Sequence, residues 1–436
     1  MKTTTENPAD RGRYDRFRSE VVSGGSVTER DGTGADEAPE ERVSPLTAVI
    51  AGIVIVGLLA WLAVTNGWMF IFVLGILVSV FLHETGHFVT ARMTGMKATQ
   101  FFLGFGPRLW SFCRGETEYG IRALPLGAFV RIIGMSNIDE VPPEDEARTY
   151  RQQSYPRRML VISAGSIMHL LIAIALLFTV YSVRGEFTEQ PGAEVGTVLV
   201  GGPAAAAGIE PGDVVLQIDG VAIDGPDELG EQVRRHDPGD VVDVVVRRDG
   251  VEQTVSATLE VNTDDASPMF GAAMLGVSSG SAGAWQEKSV GDAAVSSVTD
   301  VFPLAWESTK GLVQVVNPVN LWNQVTGATD DPTTRPTTVV GVTQVSGAVG
   351  EQDGVIGVIY LLAALNVFVG VFNMFPLLPL DGGHAAVATY ERVRERGGRR
   401  YFADVSKLMP FAMGVIVVLL MLFLSGLYLD IARPLR

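Results

Sequence analysis

The stretch WMFIFVLGILVSVFLHETGHFVTARM (68–93) decides how the rest of the chain is read. Its first half, Trp68 to Leu82, is an uncharged apolar run. Its second half is polar but still compatible with a helix, so the spacing predicts one continuous helix ending near Met93. His83-Glu84-Thr85-Gly86-His87 lies within it as H-E-x-x-H. Helical positions i and i+4 share a face, so both imidazoles can reach one ion, and Glu84 is rotated off that axis where it can accept a proton. At 1.5 Å per residue, His83 lies about 22 Å along the run, inside or at the edge of a hydrocarbon layer. An acidic residue at the centre of a span costs about 2.5–3.5 kcal/mol, so such a cluster marks a functional site. The alternative is a helix that has already left the membrane and carries solvated residues at its end.

Working outward, apolar runs recur at Leu46–Val64, Met159–Val183, Val355 towards Leu380, and Pro410–Leu429. With 68–93 these make about five membrane spans, which accounts for a mean hydropathy of +0.27 in a chain of 436 residues. Residues 1–44 have no apolar period and read as a disordered cytoplasmic tail. They are too long and too acidic for the n-region of a signal peptide, so the run at 46–64 is expected to stay as an additional anchor. Residues 92–158 hold ten Lys and Arg, and Arg392, Arg394, Arg396, Arg399, Arg400 and Lys407 separate the last two runs. Basic segments stay in the cytoplasm, which predicts a cytoplasmic N-terminus and an outward-facing 184–354 segment.

The net charge of −16 excludes a nucleic-acid partner, because phosphate binding needs a basic surface. Cys113 is the single cysteine, so there is no intrachain disulfide and any metal site uses His, Asp and Glu. The histidines are His83, His87, His169, His236 and His384. A catalytic zinc takes three protein ligands, and Asp381 in NMFPLLPLDGGH (373–384) is the candidate third. Pro376 and Pro379 break the helix before it, and Gly382-Gly383 allow a tight turn that aims the carboxylate at the metal. The competing reading makes Asp381 the N-cap of the next helix.

In the outer segment, Val195–Glu260 alternates short β-rich runs with turn dipeptides and a short helix at Pro226–His236, a small α/β module. Its run GGPAAAAGIEPGDVVLQIDG (201–220) resembles the PDZ domains of bacterial envelope proteases, which bind peptide ends by strand addition. Residues 262–284 read as a Gly/Ser/Ala-rich linker with one apolar strand. Residues 290–326 suit an amphipathic helix lying on membrane lipid at the outer face.

An embedded HExxH, a PDZ-like insert and a late NxxPxxPLDGG segment together resemble the site-2 protease family of intramembrane zinc metalloproteases. The resemblance covers about residues 68–436. GFGPRLWSFCRGETEYGIRALPLGAFVRIIGM (104–135) is similar to the region after the zinc helix in the actinobacterial members. There it implies a membrane-associated β-hairpin that pairs with an unwound substrate strand. The resemblance implies a polytopic α-helical protein of the bacterial plasma membrane with an extracytoplasmic PDZ-like domain. The protease core is split into halves at 68–183 and 355–436, with 195–260 as the PDZ-like domain and 262–354 as linker and membrane-surface region. It implies zinc held by His83, His87 and Asp381, Glu84 as general base, and Asn373 on the substrate backbone. The implied substrates are single-span membrane proteins such as trimmed anti-sigma factors, cleaved in regulated intramembrane proteolysis. A membrane-anchored PDZ adaptor with a vestigial metal site is the alternative. The family's A-G-P-x-x-N is replaced here by AGSIMH, with Ser166 and His169 in the altered places. His169 is then a polar neighbour of the site, a further metal contact, or a histidine hydrogen-bonded between packed helices. His384 is expected beside the site or at the interface rather than in the ligand set, and His236 on the surface.

Overall fold

The computed structural model describes residues 45–135, 139–263, 269–329, 332–395 and 401–433. The tail expected over 1–44, with Arg396, Arg399 and Arg400 of the basic segment, lies outside the described residues.

Among the described residues, four helices are long and apolar enough to cross a membrane. They are α2 (Gly67–Met93), α3 (Tyr155–Val183), α8 (Val339–Asn373) and α10 (Met409–Ala432). The expected first span is a helix too, α1 (Pro45–Thr65), 21 residues long. Asn66 separates α1 from α2 and caps the latter, its side chain accepting from the Met69 amide at 3.0 Å. One face of α2 is buried, through Phe72, Ser79, His83 and Gly86. Phe72 packs with Val358 and Leu362 of α8, and Ala173, Leu177 and Val180 of α3 pack with Ala363 and Val367 of α8. Thus α2, α3 and α8 form one packed group.

The helix α8 begins earlier than the expected Val355 and holds a kink at Gly354, where φ is 65° and ψ is −155°. An L-side chain rarely adopts that backbone, so glycine sets the break. The helix stops at Asn373, short of Leu380, because Pro376 and Pro379 cannot continue it. A short helix, α9 (Asp381–Arg394), follows.

Between α2 and α3, β1 (Ala98–Arg114) and β2 (Thr117–Ile132) form a hairpin turning at Gly115. It starts six residues before the predicted 104–135. The hairpin folds on itself: Gln100–Leu103 pairs with Ala128–Arg131 on one side and with Glu118–Ile121 on the other. Its base packs with the end of α2, α3 and α9 through Met96, Ala98, Ile132, Val161 and Ala385.

After α3 comes a six-stranded sheet with β3 (Glu186–Val198), β4 (Val214–Ile218), β5 (Val241–Arg248), β6 (Val251–Thr258) and β7 (Val277–Gln286) in the order β7-β3-β4-β5-β6; Val221–Ala222 pairs with β4. Alternate residues Val242, Val244 and Val246 are buried with Leu229 and Val233 of α4 (Pro226–Arg234). The sheet extends beyond the expected 195–260 on both sides. Residues 277–286 are strand rather than linker because backbone pairing to β3 needs no apolar side chains, and only Ala282 there is buried. Residues 290–326 form three helices, α5 (Val290–Thr299), α6 (Val301–Val316) and α7 (Pro318–Thr326), with Phe302, Trp306 and Trp322 exposed.

Within the sheet unit, Asp213 is buried and accepts from Arg248 Nε at 2.6 Å and Nη2 at 2.7 Å. The Arg248 hydrogen bonds hold its carboxyl below the usual 3.8. The folded value is the lower one, so this pair contributes full stability above about pH 4 and loses it as pH falls through the depressed value. Arg248→Met is therefore expected to flatten the acid limb of a thermal-stability profile measured below pH 4.

Candidate metal centre

Helical spacing brings His83 and His87 side by side, their Nε2 atoms 3.2 Å apart. The Oδ2 of Asp381 stands 3.3 Å from His87 Nε2 and 3.6 Å from His83 Nε2. Donors 2.0–2.1 Å from a tetrahedral zinc lie about 3.3 Å from one another, so the spacing of these three atoms fits that ion. The Oδ2 of Asp381 is buried without a hydrogen-bond partner among the described residues. A buried, uncompensated acceptor is costly unless a cation completes it. His83, His87 and Asp381 could thus hold a metal ion.

The surrounding backbone fixes this arrangement. His87 Nδ1 donates to the Val161 carbonyl of α3 at 2.7 Å, so the tautomer leaves the Nε2 lone pair free. Gly165 of α3 lies directly against the two rings. A Cβ there would sit 2.3 Å from His83 Cε1 and 2.4 Å from His87 Nε2. Gly86 allows the same close crossing from α2, since a Cβ would come within 2.8 Å of the Ala164 carbonyl oxygen. Asp381 is the first residue of α9 and not its cap, a position held by Leu380. Gly382 and Gly383 are helical, so the expected tight turn is absent. Their role is close approach: a Cβ would meet the Met374 and Phe375 carbonyl oxygens at 2.2 Å, and the Leu378 nitrogen at 2.5 Å.

Glu84 Oε1 is 3.9 Å from His83 Nε2, beside the three convergent atoms but outside their set. The backbone of Val130 on β2 lies within reach of its carboxylate. His169 is buried, with its ring centroid 4.9 Å from that of His83. Its Nδ1 donates to Asn366 Oδ1 at 2.8 Å, and Asn366 Nδ2 donates to the Leu362 carbonyl at 2.8 Å. His169 therefore joins two of its expected descriptions, a polar neighbour of the site and a hydrogen bond between packed helices. Asn373 ends α8, half-buried, with no side-chain hydrogen bond among the described residues. His384 is half-buried near Asp381 but outside the convergent set. His236 stands 3.7 Å from Asp219, partly exposed.

Sequence reasoning missed Gly165, the Val161 carbonyl and the role of Asn366. The glycine in AGSIMH and the asparagine inside an apolar span were the signals that could have found them.

The model of peptidase family M50 matches residues 71–419. The zinc metalloprotease Rip1 of Mycobacterium tuberculosis is 33% identical, over 84% of this chain and 97% of its own length. The metalloprotease MmpA of Caulobacter vibrioides is 30% identical, over 76% of this chain and 88% of its own. Among solved structures, the PDZ domain of an SdrC-like protein from Listeria monocytogenes is similar over 21% of this chain and 90% of its own, at 22% identity and a TM-score of 0.19. The matched range runs from four residues into α2 to the middle of α10, and so contains both halves of the centre. This chain belongs to peptidase family M50, the site-2 protease family of zinc metalloendopeptidases.

Proposed function

We propose that this protein cleaves peptide bonds in the transmembrane segments of single-span membrane proteins, such as trimmed anti-sigma factors, using zinc held by His83, His87 and Asp381. The observation that carries the reading is the convergence of these three donor atoms across about three hundred residues of sequence onto one span helix. When bound, zinc supplies a Lewis acid that polarises the scissile carbonyl and makes water acidic enough to attack at neutral pH. Glu84 removes the proton from the attacking water and returns it to the leaving amine. Val161 keeps His87 in the tautomer that donates through Nε2. The side chains of His83 and His87 are largely buried, and low local polarity strengthens charge interactions there.

A transmembrane helix hides its carbonyls in its own hydrogen bonds, so the substrate must unwind. The β2 edge beside Glu84 offers backbone groups to an extended strand, and Asn373 would hold the substrate main chain nearby. In this reading α1 is a fifth span, the N-terminus is cytoplasmic and the sheet of β3–β7 is an extracytoplasmic PDZ-like domain that takes peptide ends. The helices α5–α7 then lie on lipid with Trp306 and Trp322 at the interface. An adaptor with a vestigial site would have no need of an intact donor set beside a carboxylate base.

The test is cleavage of a single-span substrate by full-length protein in bilayers, with metal content measured in parallel. Chelation is expected to stop cleavage and added zinc to restore it. Asp381→Asn is expected to lower zinc affinity by at least roughly tenfold. One zinc per chain and undiminished cleavage in Asp381→Asn would refute the ligand assignment.

A further inference from the structure

Helix α9 carries Asp381 as its first residue and a second buried carboxylate, Glu391, near its other end. At 1.5 Å per residue the two lie about 15 Å apart along one axis. Glu391 is 3% exposed; it accepts from Arg158 Nη2 of α3 at 2.5 Å and from the Ala403 amide at 2.7 Å. Arg158 is 8% exposed, its Cζ 4.9 Å from the centroid of the Tyr150 ring.

The rest of the α9 contact is smooth. Its other buried residues are Gly382, Gly383, Ala385 and Ala388, and the two alanines share a cluster with Val161 and Ile162 of α3. Glycine and alanine let helices approach closely but interdigitate little, so they do not fix how far one helix slides or turns on its neighbour. The metal centre needs that register fixed, because Asp381 Oδ2 must meet two imidazoles at 3.3 Å and 3.6 Å. One of those imidazoles, His87, is tied to the Val161 carbonyl, about one turn after Arg158 in the same helix. Thus α3 holds one side chain of the centre through Val161 and the helix of another through Arg158.

We infer that Arg158 and Glu391 are positioning residues for the metal centre: their buried ion pair sets the register of α9 on α3 and so delivers Asp381 to His83 and His87. The inference rests on the reading of those three side chains as the zinc ligands. A buried ion pair adds little net stability, since desolvation offsets its attraction, but its directional geometry admits one register where small apolar residues admit several.

The experiment measures zinc affinity by chelator competition, and thermal stability, on the full-length protein in nanodiscs. In Arg158→Met/Glu391→Met no charge is left buried and unpaired, so the melting temperature is expected to stay near that of wild type. Zinc affinity is expected to fall roughly tenfold or more. Arg158→Lys, which keeps a charged donor, is expected to retain most of the affinity. A pair that served stability alone would show the reverse, a lower melting temperature with unchanged affinity. Wild-type affinity in the folded double variant overturns the inference. If the double variant does not fold, Glu391→Asp keeps the carboxylate and shortens the tie by one methylene; unchanged affinity there overturns it equally. Failure of the ligand reading looks different: wild type that takes up no zinc, or Asp381→Asn that binds it undiminished, refutes the ligand set and the inference with it.

Discussion

Gly165→Ala is expected to cost the protein its zinc while leaving both histidines, Glu84 and Asp381 in place. In most helices this exchange is favourable, by roughly 1 kcal/mol of propensity. Here the added methyl would sit 2.3 Å from His83 Cε1 and 2.4 Å from His87 Nε2. Neither ring can yield freely, because both belong to one helix and His87 is tied to the Val161 carbonyl. Either the imidazoles rotate away from each other or α3 moves off α2. Overpacking of this kind costs about 1–3 kcal/mol, and loss of ligand orientation lowers metal affinity by about 10–100-fold. Gly57→Ala in α1 is the control, since no atom lies within 4 Å of its Cβ position. Metal analysis of the two purified variants separates a helix effect from a site effect. Wild-type zinc in Gly165→Ala would show that α3 does not press on the two rings.

Glu84→Gln should give the complementary result, retained zinc and lost turnover. The Glu84 oxygen lies 3.9 Å from His83 Nε2, too far to belong to the donor set yet close enough to serve a water between them. A glutamine of nearly equal volume preserves packing against the Val130 strand but cannot accept the proton. Removing a general base costs about 10²–10⁴-fold in rate. The measurement is single-turnover cleavage of a bilayer-embedded substrate, paired with zinc stoichiometry. Cleavage within a few-fold of wild type would pass the base role to another group, and loss of zinc would make Glu84 a ligand. Together the two variants resolve the centre into a part that holds the ion and a part that moves the proton.

Wherever its determinants are local, the site is legible in the residue pattern alone. The i and i+4 spacing of His83 and His87 fixes their shared face through helical geometry, and Glu84 follows from the same turn. Apolar runs long enough for hydrocarbon mark α2, α3 and α10 with little error in their bounds. Prolines 376 and 379 announce the end of α8, although they do not reveal that it stops at Asn373.

The remaining features depend on contacts between distant segments, for which one chain's residue pattern carries no signal. Asp381 is legible as a candidate, but its choice between cap and ligand requires the approach of α9 to α2, which yields the 3.3 Å and 3.6 Å separations. The Gly/Ser-rich β7 looks like linker because its pairing with β3 uses backbone groups that every residue possesses. Gly165 and Val161 act through an absent side chain and a carbonyl, so neither shows chemistry in its residue type. Local periodicity thus settles which helices form and which residues could bind metal. Close interhelical packing decides whether those residues meet, because a site of this size depends on distances that backbone approach sets to within a few tenths of an ångström.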